Sequence, residues 1–310
     1  MPKRAQYLRV ITSELQRVAS HLLWLGTWCL DMGGALGGGA TIFLYCIRER
    51  ELILDLFESL VGARLLYGFY QVGGVRYDVP SDWASKCRET VDLIDQRITE
   101  YQRMLEDNPF FLVRTQGVGV ISRELAQEVG IAGPLLRGSG VAYDIRRGEP
   151  YSSYEDFEFR VPVETSGDCY ARYCVRMAEF RESLKIVRQA LDRLPEGPIS
   201  SRPGLKSVAQ TRIPKGEAYA RVEGARGEVG CYLIADGSEV QPEWFNGAHT
   251  VGITAGASAP EVLVEDVIDA LRRLGPVDVS EFTRPQETIE FRLPPELREG
   301  RRAGRATATG

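Results

Sequence analysis

The side chains able to do chemistry in this sequence are few and scattered. The cysteines are Cys29, Cys46, Cys87, Cys169, Cys174 and Cys231, none in a C-x-x-C pair, and the histidines are His21 and His249. Zinc and iron–sulfur sites need clustered thiolates or imidazoles, so this is a poor inventory for a metal held by the chain itself. The cysteines read instead as small buried hydrophobes in a reducing compartment. His21, among apolar helical neighbours, reads as a structural residue. Two places carry candidate chemistry. Leu23, Thr27 and Asp31 follow one another at intervals of four, which puts them on one face of a helix. By spacing alone Asp31 is a helix-end carboxylate beside glycine. Ser258, Pro260 and Glu261 combine an N-cap, a first-turn proline and a capping-box acid. Free N–H groups and the helix dipole at such a point suit phosphate or diphosphate, although the pattern also describes a plain, well-capped helix.

The elements that must position these residues follow from periodicity. Leu8, Ile11, Leu15, Val18, Leu22 and Leu25 recur every three or four positions, which predicts one long helix from Tyr7 to about Leu30. A glycine-dense segment follows, from Gly33 to Gly39. A second helix is expected from about Arg48 to Leu60 with Gly62 as its stop. A third runs from about Asp82 to Leu105, started by Pro80-Ser81-Asp82 and ended by Asn108-Pro109. The stretch 127–154 is dense in glycine, arginine and turn residues and reads as loops and short strands. Tyr170, Tyr173, Met177, Phe180, Leu184, Val187 and Leu191 alternate spacings of three and four, the seam of a long helix packed on others. Ala218–Val222 and Gly227–Ile234 alternate like a hairpin around Gly224-Ala225-Arg226. Beyond Gly237 a short strand at Thr250–Ile253, the tight turn Thr254–Ser258 and a helix at Ala259–Leu274 are expected. Val277–Phe282 and Thr288–Leu293 could add two strands. The last dozen residues, Glu299–Gly310, lack large apolar side chains and read as disordered.

Composition narrows the function classes. No apolar run approaches the roughly 20 residues of a membrane span, and Met1-Pro2-Lys3-Arg4 leads straight into a charged amphipathic stretch, so no signal peptide is expected. A net charge of −5 argues against nucleic acid as a partner. At 310 residues there is room for two domains.

A longer pattern then emerges. The segments Arg4-Ala5-Gln6-Tyr7-Leu8-Arg9-Val10, Ser20-His21-Leu22-Leu23-Trp24-Leu25-Gly26-Thr27, Arg48-Glu49-Arg50-Glu51-Leu52-Ile53-Leu54-Asp55-Leu56-Phe57 and Gly73-Gly74-Val75-Arg76-Tyr77-Asp78-Val79-Pro80 occur in that order. Gly140-Val141-Ala142-Tyr143-Asp144-Ile145-Arg146, Pro150-Tyr151-Ser152-Ser153-Tyr154, Gly167-Asp168-Cys169-Tyr170-Ala171-Arg172 and Pro195-Glu196-Gly197-Pro198 follow. Pro214-Lys215-Gly216-Glu217-Ala218 and Gly224-Ala225-Arg226-Gly227-Glu228 complete the series. Together they resemble the quinone-binding D subunit of NADH:quinone oxidoreductase (respiratory complex I) over residues 4–238.

That resemblance implies a mostly α fold with small β elements (α+β), the helical bundle of the D-subunit and nickel–iron hydrogenase large-subunit type. It implies a quinone chamber shared with a neighbouring iron–sulfur subunit, whose terminal cluster passes electrons to quinone while proton uptake is linked to pumping. Other peripheral-arm subunits and a membrane arm would be partners, at the cytoplasmic side of a bacterial or archaeal plasma membrane. NAD would bind elsewhere in the parent complex. By the family pattern Leu23, Thr27 and Asp31 line or support the quinone slot, and Asp31 matches the acid that hydrogen-bonds a quinone-site histidine. That histidine, a quinone-contacting tyrosine and an arginine near the cluster come in the family from a portion preceding the resemblance, so Asp31 is expected to lack its usual partner within this stretch. Leu66 stands where many members place a histidine beside the cluster. A residue that cannot titrate there implies a cluster potential free of pH coupling and a low-potential quinone such as menaquinone. The Gly33–Gly39 loop is longer than the common family form. The related hydrogenases hold nickel through two C-x-x-C pairs, which this chain lacks.

The C-terminal part carries a different resemblance. Pro242-Glu243-Trp244, the turn Thr254-Ala255-Gly256-Ala257-Ser258-Ala259-Pro260-Glu261 and Phe291-Arg292-Leu293-Pro294-Pro295-Glu296-Leu297-Arg298 resemble the end of 4-hydroxy-3-methylbut-2-enyl diphosphate reductase. In that family the matching serine contacts the substrate diphosphate, which makes Ser258 the candidate. The cluster cysteines and acid–base residues of that enzyme have no counterpart here. The expected organisation is therefore residues 1–238 as the D-subunit-like domain, 239–298 as a small βαββ segment and 299–310 as a tail. The rival functional reading is an inactive chimera with at most diphosphate binding. Peptide mass spectrometry of the source proteome decides between them: a peptide crossing Ser238–Trp244 makes the two parts one polypeptide, whereas peptides from both sides without that junction, beside those of an intact D subunit, assign them to different polypeptides.

Overall fold

The computed structural model describes residues 1–32, 39–202, 218–233 and 261–279. It separates into two units, Met1–Leu233 and Ile234–Gly310, and the expected boundary at 238 lies outside the described residues.

Four long helices make the first unit: α1 (Lys3–Asp31), α2 (Gly39–Val61), α3 (Trp83–Glu106) and, after a set of short elements, α8 (Cys169–Asp192). They pack in a closed circuit, α1 on α2, α2 on α3, α3 on α8 and α8 back on α1. The apolar periodicity explains why. Leu8, Ile11, Leu15, Val18, Leu22 and Leu25 of α1 are fully buried, as are Tyr173, Phe180, Leu184 and Val187 of α8 and Val91, Ile94, Ile98 and Tyr101 of α3. Trp83 opens α3 and its indole N–H donates to the Leu56 carbonyl of α2 at 3.0 Å, which satisfies the one polar atom of a buried ring. Gly26 sets the α1–α2 approach, because a Cβ there would sit 3.0 Å from the Phe43 ring and 3.2 Å from its Cα.

The termini follow local chemistry. Asp168 caps α8 by accepting from the Ala171 N–H at 2.7 Å. Gly62 ends α2 with φ +71°, the left-handed backbone that glycine adopts freely. The second helix begins nine residues before the expected Arg48, since helical spacing continues through Ile42 and Cys46 once the glycine run has ended. A tight pair, β1 (Tyr70–Gln71) with β2 (Gly74–Val75), is too short, at two residues a strand, for alternation to announce it.

Residues 109–156 hold short helices: α4 (Pro109–Thr115), α5 (Arg123–Glu128), α6 (Gly133–Gly138), α7 (Ile145–Gly148) and a 3₁₀ turn at Tyr154–Asp156, of which α6 and α7 fall in the stretch 127–154 expected to be loops and short strands. Proline at the first turn of α4 and α6 and side-chain caps from Asn108, Ser122 and Asp144 start these helices, and they stop within a turn or two. The expected hairpin is present, β3 (Ala218–Gly224) antiparallel to β4 (Gly227–Leu233). Its turn meets Gly133, where φ is +67° and an added Cβ would lie 2.4 Å from the Gly227 Cα. In the second unit, α9 (Glu261–Leu274) is described, with Ala270 and Leu271 buried. Ser258, its expected cap, and the strands expected around it lie outside the described residues, apart from 277–279, which are not strand. No described helix is long and apolar enough to cross a membrane.

Replacing Leu15 by alanine should lower unfolding free energy by about 2–5 kcal/mol, the usual cost of a truncated core leucine. Leu44→Ala, at a residue 64% exposed, should stay within about 0.5 kcal/mol; chemical denaturation of both variants checks the contrast.

Candidate functional site

Helix α1 has two opposed faces. Glu14, Arg17 and His21, at helical spacing among the core leucines, point inward and are buried. Leu23, Thr27, Leu30 and Asp31 point outward and are exposed. Thr27 turns its hydroxyl back to the Leu23 carbonyl at 2.9 Å, so the open face is apolar except at Asp31. Asp31 makes no hydrogen bond or ion pair among the described residues. The expected residues are therefore brought together on one surface.

The inward face holds a cluster that no sequence motif singles out. Arg146 bonds both oxygens of Glu14 at 3.1 Å and both of Asp144 at 3.0 and 2.6 Å. Glu14 also accepts from the Tyr154 and Ser183 hydroxyls, each at 2.6 Å. Arg137 pairs with Glu179 at 2.7 Å and Glu223 at 2.9 Å. Arg17 reaches the hairpin, donating to the Glu223 and Gly224 carbonyls at 2.7 and 2.8 Å. His21 Nε2 lies 2.8 Å from Glu179. Burial disfavours both charged carboxylates, yet their partners prevail. Arg146 and Arg17 hold Glu14 down to about 2, and the His21 hydrogen bond and Arg137 hold Glu179 below the usual range. His21 is itself shifted down by burial. A neutral imidazole facing an ionised Glu179 must carry its proton on Nε2 to donate there. The one sequence signal for this cluster is periodic: Glu14, Arg17 and His21 break an otherwise apolar face at intervals of three and four.

Leu66 sits at the far end of the α1–α2 pair. It follows Gly62 in a loop, with φ +57° and 97% exposure. Arg64, two residues earlier, is gripped by Glu51, Asp55 and Glu58 of α2. Four residues after Leu66, the Tyr70 hydroxyl contacts Ser13 of α1 at 2.8 Å. From Ser13 to Asp31 the helix rises about 27 Å, so the loop and the Asp31 end are well separated along α1.

Cys29, Cys87 and Cys174 add no nucleophile to this surface. Burial pushes Cys29 and Cys87 up to about 12 and Cys174 to about 11, so they remain protonated at neutral pH.

Comparison with known proteins places this geometry. The family model for the respiratory-chain NADH dehydrogenase, 49 kDa subunit, matches residues 37–245. The H subunit of the NAD(P)H-quinone oxidoreductase of Thermosynechococcus vestitus is 42% identical over 307 residues, covering 90% of this chain and 75% of the relative. The D subunit of the NADH-quinone oxidoreductase of Desulforamulus reducens is 44% identical over 238 residues, covering 77% of this chain and 63% of the relative. Among solved structures, a chain of the membrane-bound sulfane sulfur reductase, an archaeal respiratory membrane complex, superposes with a TM-score of 0.69 at 37% identity. That match covers 76% of this chain and 62% of the other. The LytB protein family model matches residues 220–272, starting within the hairpin and earlier than the expected 239.

The buried cluster generates a stability prediction. Glu14→Ala takes the carboxylate from Arg17 and leaves Arg146 with Asp144 alone, and should cost about 3–5 kcal/mol. Because the folded pKa of Glu14 is depressed to about 2, its contribution is complete above the unfolded value near 4.3 and disappears as pH falls toward 2. His21, also depressed, resists protonation in the fold and adds a loss that begins below about pH 6.5. Wild-type stability should therefore fall steadily from about pH 6.5 downward, and in Glu14→Ala the part of that decline below about pH 5 should shrink. Denaturant midpoints measured against pH check both.

Proposed function

Because the chain belongs to the family of the respiratory-chain NADH dehydrogenase 49 kDa subunit, we propose that it forms one wall of a quinone chamber in an oxidoreductase complex. A neighbouring subunit's terminal iron–sulfur cluster supplies the electrons, and quinone accepts them. The observation that carries this reading is the outward face of α1, where Leu23, Thr27 and Leu30 form an exposed, largely apolar strip that ends in the carboxylate of Asp31, unpaired among the described residues. A quinone needs an apolar slot with few polar groups, and reduction to quinol needs protons delivered to its oxygens. Leu23 and Thr27 would border the ring or its tail, and Asp31 would tie the proton-donating group in place. The Leu66 loop would face the cluster, with a non-titrating side chain that suits a low-potential quinone such as menaquinone.

The complex would sit at the cytoplasmic side of the membrane, with this chain in the peripheral arm, no metal of its own, NAD bound by other subunits and proton translocation in the membrane arm. The residues from 239 onward would form a separate diphosphate-reductase-like segment in which Ser258 is the candidate anion contact.

Asp31→Asn in the assembled complex should lower the turnover of quinone reduction by about 10²-fold, the scale of a lost acid–base group. Electron transfer from the donor to the terminal cluster should be unchanged. Quinone reduction at the wild-type rate in that variant would remove Asp31 from the site.

A further inference from the structure

Four oxidisable rings lie in line between the outward face of α1 and the start of α8. Trp24 and Trp28, half-buried and each one residue past Leu23 and Thr27, stack with centroids 4.9 Å apart and planes 19° from parallel. Trp28 in turn stacks on Tyr173 of α8 at 5.8 Å and 25°, and Tyr173 lies 5.9 Å from Tyr170. The Tyr170 hydroxyl is hydrogen-bonded to the Cys174 thiol, and both of these residues are half-buried, within reach of solvent. Helical spacing sets the order on each side, since 24 and 28 share one face of α1 and 170, 173 and 174 one face of α8. Phe111 packs edge-on against Trp28 and Tyr173 at 5.5 and 5.0 Å, which keeps the middle of the series dry.

Packing alone asks only for apolar bulk here. Indole and phenol add the ability to lose one electron to a radical, and rings this close exchange an electron readily because tunnelling decays with the gap between them. The surrounding charges give the series a direction. The Arg176 guanidinium lies 4.3 Å over the Trp24 ring, and a cation there disfavours a positive hole on that indole and drives it inward. The Tyr173 hydroxyl donates to Glu106 at 3.2 Å. An oxidised phenol is a strong acid, so a carboxylate placed to take its proton favours the radical at that ring. A hole therefore leaves a cation and approaches an anion.

We propose that Trp24, Trp28, Tyr173 and Tyr170 form a hole-transfer path that carries single oxidising equivalents from the outward face of α1 to Cys174, a second activity that protects the chain from peroxyl radicals. The peroxyl radical takes one electron from the Trp24 indole and a proton from solvent, and becomes a hydroperoxide. Trp28 then reduces Trp24. Tyr173 reduces Trp28 as its phenolic proton passes to Glu106. Tyr170 reduces Tyr173, which recovers that proton while Tyr170 releases its own to solvent. The Tyr170 radical takes the hydrogen atom of the Cys174 thiol, and a soluble thiol restores Cys174 by giving up its own hydrogen atom. Two soluble thiyl radicals couple to a disulfide.

The path does not require quinone at the α1 face, so the two readings fail separately. The test exposes the whole chain to limiting azide radical from pulse radiolysis, a neutral one-electron oxidant selective for indoles, in the presence of a nitroso spin trap. Peptide mass spectrometry then locates the trapped radicals. In wild type the label should collect on Tyr170 and Cys174. Trp28→Phe should move it back to Trp24, and Tyr173→Phe should move it back to Trp24 and Trp28. Tyr77→Phe, at an exposed tyrosine off the path, should keep the wild-type pattern. Circular dichroism melts confirm that each variant is folded, and the two link variants act independently should one of them not be. Absence of label on Tyr170 and Cys174 in wild type overturns the proposal. Equal labelling of that pair in wild type and both link variants also overturns it, and reduces the rings to a packing seam.

Discussion

The ion cluster around Glu14 and Arg146 is the constraint on which the rest of the first unit depends. Taking these charges out of water is costly and is offset only when every lone pair and N–H finds a partner. Glu14 meets that demand with Arg146, Arg17, Tyr154 and Ser183, and Glu179 with Arg137 and His21. These partners come from α1, α7, the 3₁₀ turn, α6 and α8, and through Glu223 the hairpin joins them. Segments separated by more than a hundred residues are thereby held in one register, which an apolar core alone would tolerate with more slippage. The cluster also fixes the rotation of α1. With Glu14, Arg17 and His21 locked inward, Arg9, Gln16, Leu23, Thr27 and Asp31 must face the other way.

That division of labour suits the proposed role as a wall of a quinone chamber. On α1, Glu14, Arg17 and His21 are inside and paired, while the stretch of its outer face from Leu23 to Asp31 is apolar but for the Thr27 hydroxyl and the Asp31 carboxylate. The Leu66 loop departs from this economy of exposure. A leucine almost wholly in water, in a left-handed backbone and beside a guanidinium gripped by three carboxylates, fits a residue that meets another protein's surface.

Much of the architecture was legible in the residues. The seams of α1, α3 and α8, the Asp82 start of α3, the Gly62 stop and the hairpin turn all follow from periodicity, caps and left-handed glycine, which are local properties. The short helices of 109–148 were missed because one or two turns do not establish a 3.6-residue period. Their signals were the caps Asn108, Ser122 and Asp144, easily mistaken for turn residues. Leu23, Thr27 and Asp31 were readable as a face because helix geometry determines it. The buried cluster and the aromatic series were not, since Glu14 and Arg146, Arg137 and Glu223, and Trp28 and Tyr173 meet only through contacts distant in sequence.

The central proposal is that this chain lines a quinone chamber with the outward face of α1 and turns the Leu66 loop to a partner's iron–sulfur cluster. Its most direct test is the midpoint potential of that cluster in the assembled complex, titrated between about pH 6 and 8 for wild type and Leu66→His. An imidazole titrates in that window and a leucine does not. A potential independent of pH in wild type that becomes pH-dependent in the histidine variant is the predicted result. A pH-dependent wild-type potential, or a histidine variant as flat as wild type, would contradict the account.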